Sequence, residues 1–217
     1  MPLENEKVFH VSIDDLPAGI HEIQKISIFQ RYLPNSRVKE LKVKKLRNNG
    51  IVYFGVIGDK GIEFKFEFQI ETKEVDEWLD SFDHYKNGKV KLYKKFEPRV
   101  RLAGDKGFLT FKGPKKDGSG PEFEYEIPYM KAKDLFLVCR QHSVIKDRYP
   151  YEYKNFVFEI DVFKGLNDGL ILVEVEYNLG QEDQVVLPPF MKNAIDVTDV
   201  GKYGNVNLSR KPFKMWR

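Results

Sequence analysis

Charged residues occupy every second position in five separate stretches of this chain, and mostly apolar residues fill the positions between them. The stretches are Glu4-Asn5-Glu6, Arg99-Val100-Arg101, Glu122-Phe123-Glu124-Tyr125-Glu126, Glu159-Ile160-Asp161 and Glu174-Val175-Glu176. Side chains alternate across a β-strand with a period of two, so each stretch predicts a strand with one apolar face and one charged face. The chain is therefore expected to be mainly β.

Strands that mix carboxylates with arginines on their polar faces have two interpretations. One is a set of solvated strand faces with surface ion pairs. The other is a sheet whose charged face lines an enclosed lumen, and we favour it because the pattern recurs in five stretches. It predicts a closed antiparallel β-barrel tunnel with peripheral helices. A barrel with an ionic interior implies an ionic ligand.

The composition is that of a folded domain without a strong bias towards a polyanionic partner. The 217 residues include 36 Lys and Arg and 33 Asp and Glu, for a net charge of +3. This near balance gives little support for binding to nucleic acid. No apolar run approaches the roughly 18 residues needed to span a bilayer, no secretory leader is visible, and Cys139 is the single cysteine. These features predict a cytoplasmic protein that does not bind membranes.

Turn signals divide part of the chain into two similar blocks. Residues 39–82 and residues 97–142 each predict three strands followed by a helix, the helices covering residues 72–82 and 131–142. The segment Phe66-Glu67-Phe68-Gln69-Ile70 corresponds to Phe123-Glu124-Tyr125-Glu126-Ile127. We interpret residues 1–35 and 97–217 as one domain. Residues 36–96 are then an inserted or duplicated strand-strand-strand-helix unit, and one strand is expected over residues 89–103.

The residue types on the charged faces suit a polyphosphate bound together with a divalent cation. Arginine binds phosphate oxygens through its two-pronged guanidinium, and lysine binds them as a point charge. Clustered carboxylates repel one another unless a hard cation lies between them. Cationic and acidic strands around one lumen therefore predict a small-molecule polyphosphate or nucleotide, with Mg²⁺ or Mn²⁺ as the cofactor.

In order and spacing, several stretches resemble the CYTH, or triphosphate tunnel metalloenzyme, family. The resemblance rests first on Arg99-Val100-Arg101, Phe108-Leu109-Thr110-Phe111-Lys112-Gly113-Pro114, Glu124-Tyr125-Glu126-Ile127, Phe158-Glu159-Ile160-Asp161-Val162-Phe163 and Leu172-Val173-Glu174-Val175-Glu176-Tyr177. It also includes Phe29-Gln30-Arg31-Tyr32-Leu33, Asp196-Val197-Thr198-Asp199 and Lys202-Tyr203-Gly204-Asn205-Val206-Asn207-Leu208. Together these cover residues 2–34 and 97–209.

The resemblance implies a closed eight-stranded tunnel and a triphosphatase-type phosphohydrolase that acts on acid anhydrides. Its expected phosphate-binding residues are Arg99, Arg101, Lys112, Lys146, Arg148 and Lys202. The expected metal ligands are Glu4, Glu6, Glu124, Glu126, Glu159, Asp161, Glu174 and Glu176. Glu4, Glu6, Glu174 and Glu176 are expected nearest the metal. The expected catalytic residues are Glu4, Glu6, Lys112 and Arg148.

The chain departs from the family pattern at three points. The family's first strand reads Glu-x-Glu-x-Lys, but Val8 stands at the lysine position, and Lys7 belongs to the opposite strand face. Glu122 stands where relatives often have a basic residue. Residues 36–96 are additional. Two alternatives to hydrolysis therefore stay open: a tunnel protein that binds a phosphorylated nucleotide or signalling molecule without turnover, and a class IV-type adenylate cyclase.

Two further features are weaker candidates. His10 shares the strand face of Glu4 and Glu6 and could replace the missing lysine, although an ordinary histidine at a strand end is the expected role. Lys42, Lys44, Lys45 and Arg47 form a basic strand, which is read as a solvated face in preference to a nucleic-acid site. A homodimer is the one oligomer considered.

Overall fold

Strands dominate this protein, as its sequence predicts. The computed structural model describes residues 3–58, 60–80, 85–86, 89–90, 97–112, 119–138 and 143–216. The strands among them are β1 (Leu3–His10), β2 (Ile26–Tyr32), β3 (Val38–Lys45), β4 (Asn49–Ile57), β5 (Glu63–Glu71), β6 (Tyr85–Lys86), β7 (Lys89–Val90), β8 (Glu97–Ala103), β9 (Lys106–Lys112), β10 (Ser119–Ile127), β11 (Ser143–Tyr153), β12 (Phe156–Phe163), β13 (Ile171–Glu176) and β14 (Ile195–Asp196). The helices are α1 (Thr72–Asp80), α2 (Tyr129–Val138) and α3 (Asn205–Arg210).

One large antiparallel sheet contains most of these strands. Its strand order is β10-β9-β8-β2-β11-β12-β13-β1-β14. The ladder between β11 and β12 runs from the pair Lys146 and Phe163 to the pair Tyr153 and Phe156, and α2 packs against β8 and β9. The prediction of a mainly β fold with a large antiparallel sheet is confirmed.

The two ends of this sheet meet at β1. One edge of β1 pairs with β13 from Glu6 to His10. The other edge is divided, because residues 3–5 pair with residues 119–121 of β10 and residues 9–10 pair with β14. The structure therefore shows the large antiparallel sheet but not the closed barrel predicted from the sequence. Within the described strands, β10 reaches β1 over three residue pairs, and β14 occupies the far end of the same edge.

Alternation along the strands gives the large sheet one apolar face and one charged face. Phe158 and Ile160 of β12, with Val173 and Val175 of β13, are fully buried in one apolar cluster. The charged side chains between them point the other way. The apolar cluster fixes the strand register, because a shift of one residue would move every charged side chain into it.

Residues 38–80 form a second layer on the outer face of the large sheet. Strands β3, β4 and β5 make their own antiparallel sheet, and α1 packs on it. The rings of Phe54 and Phe111 meet edge to face at 4.8 Å between centroids, and Trp78 stacks on Phe123 at 4.0 Å. A single apolar cluster contains side chains from both layers. The second layer therefore shares its core with the large sheet.

A hydrogen-bonded chain also joins the two layers. Trp78 Nε1 donates to the Tyr125 hydroxyl at 2.8 Å, and that hydroxyl donates to Glu74 Oε1 at 2.5 Å. Burial, and then the neighbouring Glu74 carboxylate, raise the pKa of Tyr125 well above its usual range. The phenol thus stays protonated and keeps donating.

The second layer repeats the β8–β10 layer at a constant spacing along the chain. Gly50 pairs with Ile70 across β4 and β5, and Gly107 pairs with Ile127 across β9 and β10 (107 − 50 = 57 and 127 − 70 = 57). The helix α1 also begins 57 positions before α2 (129 − 72 = 57). A constant offset is what duplication of one unit would produce, and the assignment of residues 36–96 as an inserted or duplicated unit stays a prediction.

In both layers the helix rests directly on a glycine of the middle strand. A Cβ atom on Gly50 would lie 2.0 Å from a methyl carbon of Val75, and one on Gly107 would lie 2.4 Å from the Cβ of Ala132. No real Cβ atom tolerates either distance. The two glycines therefore permit the close approach of α1 to β4 and of α2 to β9.

The helices are short, and one differs from its predicted bounds. The helix expected over residues 131–142 begins at Tyr129, because the Pro128 carbonyl accepts its first hydrogen bond, from the Ala132 amide at 3.0 Å. Residues 139–142, with Cys139, lie outside the described part of the chain.

One strand is expected over residues 89–103. The structure has β7 at the beginning of this range and β8 at its end, and residues 91–96 between them lie outside the described part of the chain. None of the described helices has the length and apolarity needed to cross a membrane.

Asp147 forms a polar anchor on the outer side of β11. It accepts hydrogen bonds from Lys25 Nζ at 3.0 Å and Ser27 Oγ at 2.8 Å, and Lys164 Nζ lies 2.7 Å from it. Burial alone would raise the pKa of Asp147, but Lys164, Lys25 and Ser27 together lower it to about 2. The carboxylate therefore ties β11 to β2 and to the segment after β12.

We predict that Trp78→Ala lowers the free energy of unfolding by about 3–5 kcal/mol, because it leaves a cavity between the two layers. Ile62→Ala, at a half-exposed position of the same layer, should cost less than about 1 kcal/mol. Urea unfolding followed by far-UV circular dichroism measures both. A loss below 1 kcal/mol for Trp78→Ala, or a separate transition for each layer, would show that the layers do not share a core.

Asp147→Asn should destabilise the protein in a pH-dependent way. The carboxyl pKa is about 2 in the folded protein and 3.8 in an unfolded reference, so the ionised group stabilises the fold above pH 3.8. That contribution disappears as the pH falls through about 2. We expect a loss of about 1–2 kcal/mol at pH 7 that shrinks between pH 4 and 2, measured by urea unfolding. A deficit that stays constant down to pH 2.5 would contradict this account. Asp168→Asn, in an exposed pair with Lys214, is the control.

Candidate functional site

The charged face of the large sheet borders a cavity of about 700 Å³. Strands β1, β2 and β8–β13 all contribute lining side chains, and residues between β14 and the end of α3 add the rest. Among the residues that the structure describes, the lining cations are Arg99, Arg101, Lys112, Lys146 and Arg148. The lining carboxylates are Glu6, Glu122, Glu124, Glu159, Glu174, Glu176 and Asp199. The charged strand faces picked out in the sequence thus meet in one space.

The wall formed by β8, β9 and β10 carries three of the cations. Arg99 Nη2 lies 2.9 Å from Glu122 Oε1, and Lys112 Nζ lies 2.9 Å from Glu122 Oε2. Arg101 donates a hydrogen bond to Glu124. Lys112 and Glu122 are directly opposed in the β9–β10 ladder, so the backbone register sets this ion pair.

The wall formed by β11, β12 and β13 is organised around Asp161. Arg148 and Asp161 are opposed in the β11–β12 ladder. Arg148 Nε and Nη2 donate to the two Asp161 oxygens, each at 2.7 Å, and Lys146 also pairs with this carboxylate. The Asp161 side chain is 0% exposed. A buried carboxylate that binds two cations holds both of them in fixed positions.

Arg148 also contacts two carboxylates that reach the cavity. Its Nη2 donates to Glu174 Oε2 at 2.7 Å, and its Nη1 donates to Glu159. Burial would lower the pKa of Arg148, but Asp161, Glu174 and Glu159 raise it well above its ordinary value. Burial raises the pKa of Glu159, and the carboxylates of Glu174 and Asp161 add to this against the opposing effect of Arg148. Arg148 therefore stays charged, and Glu159 takes up a proton more readily than an ordinary glutamate.

Three carboxylates share the cavity-facing side of β1 and β13. Glu6 is directly opposite Glu176, and Val8 is directly opposite Glu174. Opposed carboxylates are unfavourable unless a cation compensates them. Oxygen donors of this type suit a hard divalent cation such as Mg²⁺ or Mn²⁺. As the side chains lie, the described residues contain no group of three or more carboxylate, imidazole or thiolate side chains able to hold a metal.

Several lining residues were not identified from the sequence. Gln30 and Tyr32 lie two positions apart on β2, and Gln30 Nε2 donates to the Tyr32 hydroxyl at 3.3 Å. Their period-two spacing was visible, but neither is charged. Asp199 lies in irregular chain and Asn205 is the first residue of the short helix α3. In neither place does a strand-like alternation of side chains indicate which way the side chain points. The Asn205 Oδ1 atom is buried without a hydrogen-bond partner.

Val8 makes part of the cavity wall apolar. It packs in a cluster with Val144, Leu172 and Val197, and its backbone amide donates to Thr198 Oγ1 at 3.1 Å. Lys7 pairs instead with Glu182 at 3.2 Å and does not line the cavity. The neighbouring lysine therefore does not replace the positive charge that the family pattern has at the position of Val8.

Some predicted site residues lie away from the cavity lining. Lys202 Nζ lies 5.0 Å from the ring centroid of Tyr203 and 4.7 Å from that of Trp216. Glu126 pairs with Lys106 at 3.2 Å, and both side chains are exposed. His10 lies against the Tyr203 ring, and burial, with a smaller effect from Lys202, lowers its pKa.

Of the two remaining predicted residues, Asp161 is placed by its side chain and Glu4 by its backbone alone. Glu4 pairs with Gly120 through its backbone, and its side chain lies outside the described part of the chain. Asp161 lies behind Lys146 and Arg148. The other predicted site residues, Glu6, Arg99, Arg101, Lys112, Glu124, Lys146, Arg148, Glu159, Glu174 and Glu176, line the cavity together.

Asp161→Asn is expected to be strongly destabilising. It removes the shared partner of Lys146 and Arg148 and leaves two cations under-neutralised in a buried place, which costs about 3–5 kcal/mol. Glu126→Gln removes only an exposed ion pair and should cost about 1 kcal/mol or less. Guanidinium unfolding of both variants tests the difference. Equal stability of the two would show that Asp161 does not support this wall.

Comparison with known proteins relates this cavity to a family. A family model described as the CYTH domain matches residues 60–186, more than half of the chain. An inorganic triphosphatase of Acetivibrio thermocellus is 35% identical over 134 residues, which cover 61% of this chain and 84% of that protein. An inorganic triphosphatase of Nitrosomonas europaea is 32% identical over 115 residues, covering 52% of this chain and 74% of that protein.

The solved structures agree on the fold. The crystal structure of the inorganic triphosphatase NE1496 matches this protein with a TM-score of 0.51 and 21% identity, over 96% of this chain and 95% of that one. The mainly β architecture, the strand motifs and the family match lead to one conclusion. This chain belongs to the CYTH domain family.

Proposed function

We propose that this protein is a divalent-metal-dependent hydrolase of a triphosphate-bearing substrate, either inorganic tripolyphosphate or a nucleoside triphosphate. The observation that carries the proposal is one cavity in which, among the described residues, three cations from the β8–β10 wall and two from the β11–β13 wall line the same space as a set of carboxylates. A polyanion with several adjacent phosphates can leave water only where cations compensate its charge. Two similar proteins carry the name inorganic triphosphatase, which makes tripolyphosphate the first substrate to test.

A closed tunnel is part of the proposal. The short contact between β1 and β10 would join the strands from β10 round to β1 into an eight-stranded ring. A ring encloses the cavity with charged side chains on all sides. It also excludes bulk water, which strengthens the attraction between the cations and the phosphates.

The cations would bind the triphosphate from two sides. Arg99, Arg101 and Lys112 project from one wall, and Lys146 and Arg148 from the other. Arg148 is already held in a bidentate pair, so its charge is positioned before the substrate arrives. Lys202 is left out of this group because its ammonium lies over two aromatic rings and not at the cavity lining.

The carboxylates Glu6, Glu174 and Glu176 would hold the divalent cation. Their oxygens suit Mg²⁺ or Mn²⁺, and the β1–β13 register brings them to one face. When bound, such a cation neutralises phosphate charge and positions water for attack. Glu174 now pairs with Arg148, so binding the cation would mean that it exchanges this partner. Glu159, with its raised pKa, is suited to accept a proton from the attacking water.

Hydrolysis would cleave one acid-anhydride bond. The oxygen of a water molecule would form a bond to the terminal phosphorus while the bond from that phosphorus to the bridging oxygen breaks, which gives orthophosphate and the shortened phosphate chain. The proton that the water loses would pass to Glu159 and then to the departing oxygen or to solvent. The side chains named above bind, orient and neutralise, which is the main contribution a protein makes to phosphoryl transfer.

Val8 supports one alternative, which is binding of a phosphorylated nucleotide or signalling molecule without turnover. An apolar side chain lines the cavity where the family's first strand has a lysine. Cyclisation of ATP in the same cavity is the third candidate. A cytoplasmic location, the absence of membrane and nucleic-acid partners, and a homodimer stay predictions.

The first experiment is phosphate release from tripolyphosphate, ATP, GTP and thiamine triphosphate, with Mg²⁺, with Mn²⁺ and with EDTA. We expect release from tripolyphosphate or a nucleoside triphosphate that EDTA abolishes. If none of the four compounds releases phosphate but tripolyphosphate still raises the midpoint of thermal unfolding, hydrolysis is contradicted and the binding alternative is favoured. Cyclic AMP from ATP without phosphate release would identify the cyclase.

Charge-neutral variants test the proposed metal ligands. Glu174→Gln and Glu176→Gln should lower kcat/KM by at least about 10- to 100-fold, because each removes an oxygen donor from the metal site. Glu152→Gln, at an exposed position of β11 outside the cavity lining, is the matched control. Metal-dependent turnover that survives both site substitutions unchanged would show that these residues do not hold the cation.

A further inference from the structure

Glu122 lines the cavity and binds two of the proposed phosphate-binding cations at once. One oxygen lies 2.9 Å from Arg99 Nη2, and the other lies 2.9 Å from Lys112 Nζ. The side chains are largely buried, with exposures of 7% for Arg99, 16% for Glu122 and 27% for Lys112. A carboxylate with two oxygens thus lies between two cations, in the manner expected of a phosphate group.

The two oxygens of Glu122 are not held equally. Oε1 accepts a hydrogen bond from Arg99. Oε2 is buried next to Lys112, yet it receives no hydrogen bond of normal geometry. By contrast, Glu124 accepts hydrogen bonds from both Arg101 and Thr110, the latter at 2.7 Å. Glu122 is therefore the less firmly held of the two glutamates on this wall.

We propose that Glu122 is an internal counter-ion that occupies Arg99 and Lys112 when the cavity has no ligand and competes with the substrate's phosphate for them. This inference rests on the proposed function, since it concerns the same cavity and an anionic phosphate ligand. Binding would exchange the Glu122 carboxylate for phosphate oxygens on the two cations. No covalent bond changes in this step.

The presence of Glu122 has two opposite effects, one on the stability of the ligand-free protein and one on its affinity for the substrate. Without Glu122, three cations on adjacent strands would repel one another in a poorly hydrated wall; the pKa of Arg101 is already lowered by burial and by the nearby Arg99. With Glu122, every phosphate group that binds must first displace a carboxylate. The residue thus stabilises the ligand-free cavity and weakens the affinity for the substrate.

Glu122→Gln tests this, because it keeps the shape of the side chain and removes its charge. We expect the Kd for tripolyphosphate, measured by calorimetry in EDTA, to fall by about 5- to 30-fold. The KM for phosphate release with Mg²⁺ should fall in the same direction, and the thermal midpoint without ligand should be lower. Glu67→Gln makes the same charge change at an exposed position of β5 and should alter none of these values.

A Kd for Glu122→Gln that equals or exceeds that of the unmodified protein overturns the inference, and so does an absence of tripolyphosphate binding to both. A gain of affinity cannot come from structural damage. If both proteins release no phosphate but Glu122→Gln binds more tightly, the inference stands and the proposed hydrolysis fails. If Glu122→Gln does not fold, Glu122→Asp takes its place. It keeps the charge but is too short to reach both cations. A Kd below that of the unmodified protein supports the inference, and an equal or higher one overturns it.

Discussion

The pairing of opposite charges on the inner face of the sheet is the constraint on which the rest of the structure depends. A buried charge without a partner costs several kcal/mol, and each of the five cations that line the cavity in the described part of the chain has a carboxylate within ion-pair distance. Among these carboxylates, Asp161 matters most, because it is fully buried and neutralises both Lys146 and Arg148. These pairs and the apolar outer face require the same strand register. A shift of one residue would separate the pairs and bury the charges among apolar side chains.

The sequence predicts well which face of a strand a site residue occupies, and it predicts poorly whether that position along the strand reaches the cavity. A strand has two faces, so the spacing of Glu122 and Glu124 is sufficient to place both towards the cavity. Glu126 continues the same pattern, but it lies beyond the cavity and pairs with exposed Lys106. Lys202 does not lie in a strand, so side-chain alternation gives no direction for it; its ammonium lies over the rings of the next residue, Tyr203, and of Trp216. Closure is equally hidden, since it depends on which strand takes each edge of β1.

The second layer shows that one sequence pattern can give two different surfaces. At the offset of 57 residues, Lys42 and Lys44 of β3 correspond to Arg99 and Arg101 of β8 (99 − 42 = 57). Lys44 is exposed and Lys42 pairs with Glu40 on the same strand, whereas the two arginines line the cavity. Alternation alone cannot distinguish a solvated face from a lumen. The distinction comes from the neighbouring strands, because β8 continues into β2 and β11 while β3 belongs to a three-stranded sheet.

The ion pairs divide the cavity into a fixed part and an exchangeable part. Asp161 is 0% exposed and holds Arg148 through both oxygens, so neither can move without exposing a buried charge to an apolar neighbourhood. Glu122 and Lys112 lie nearer to solvent, at 16% and 27% exposure, and one oxygen of Glu122 lacks a normal hydrogen bond. We therefore expect an incoming phosphate group to displace the Glu122 carboxylate, while the pair of Arg148 with Asp161 stays in place. Arg148 then keeps its position through both Asp161 oxygens, and a cation held in place before binding positions a phosphate group for attack without further cost.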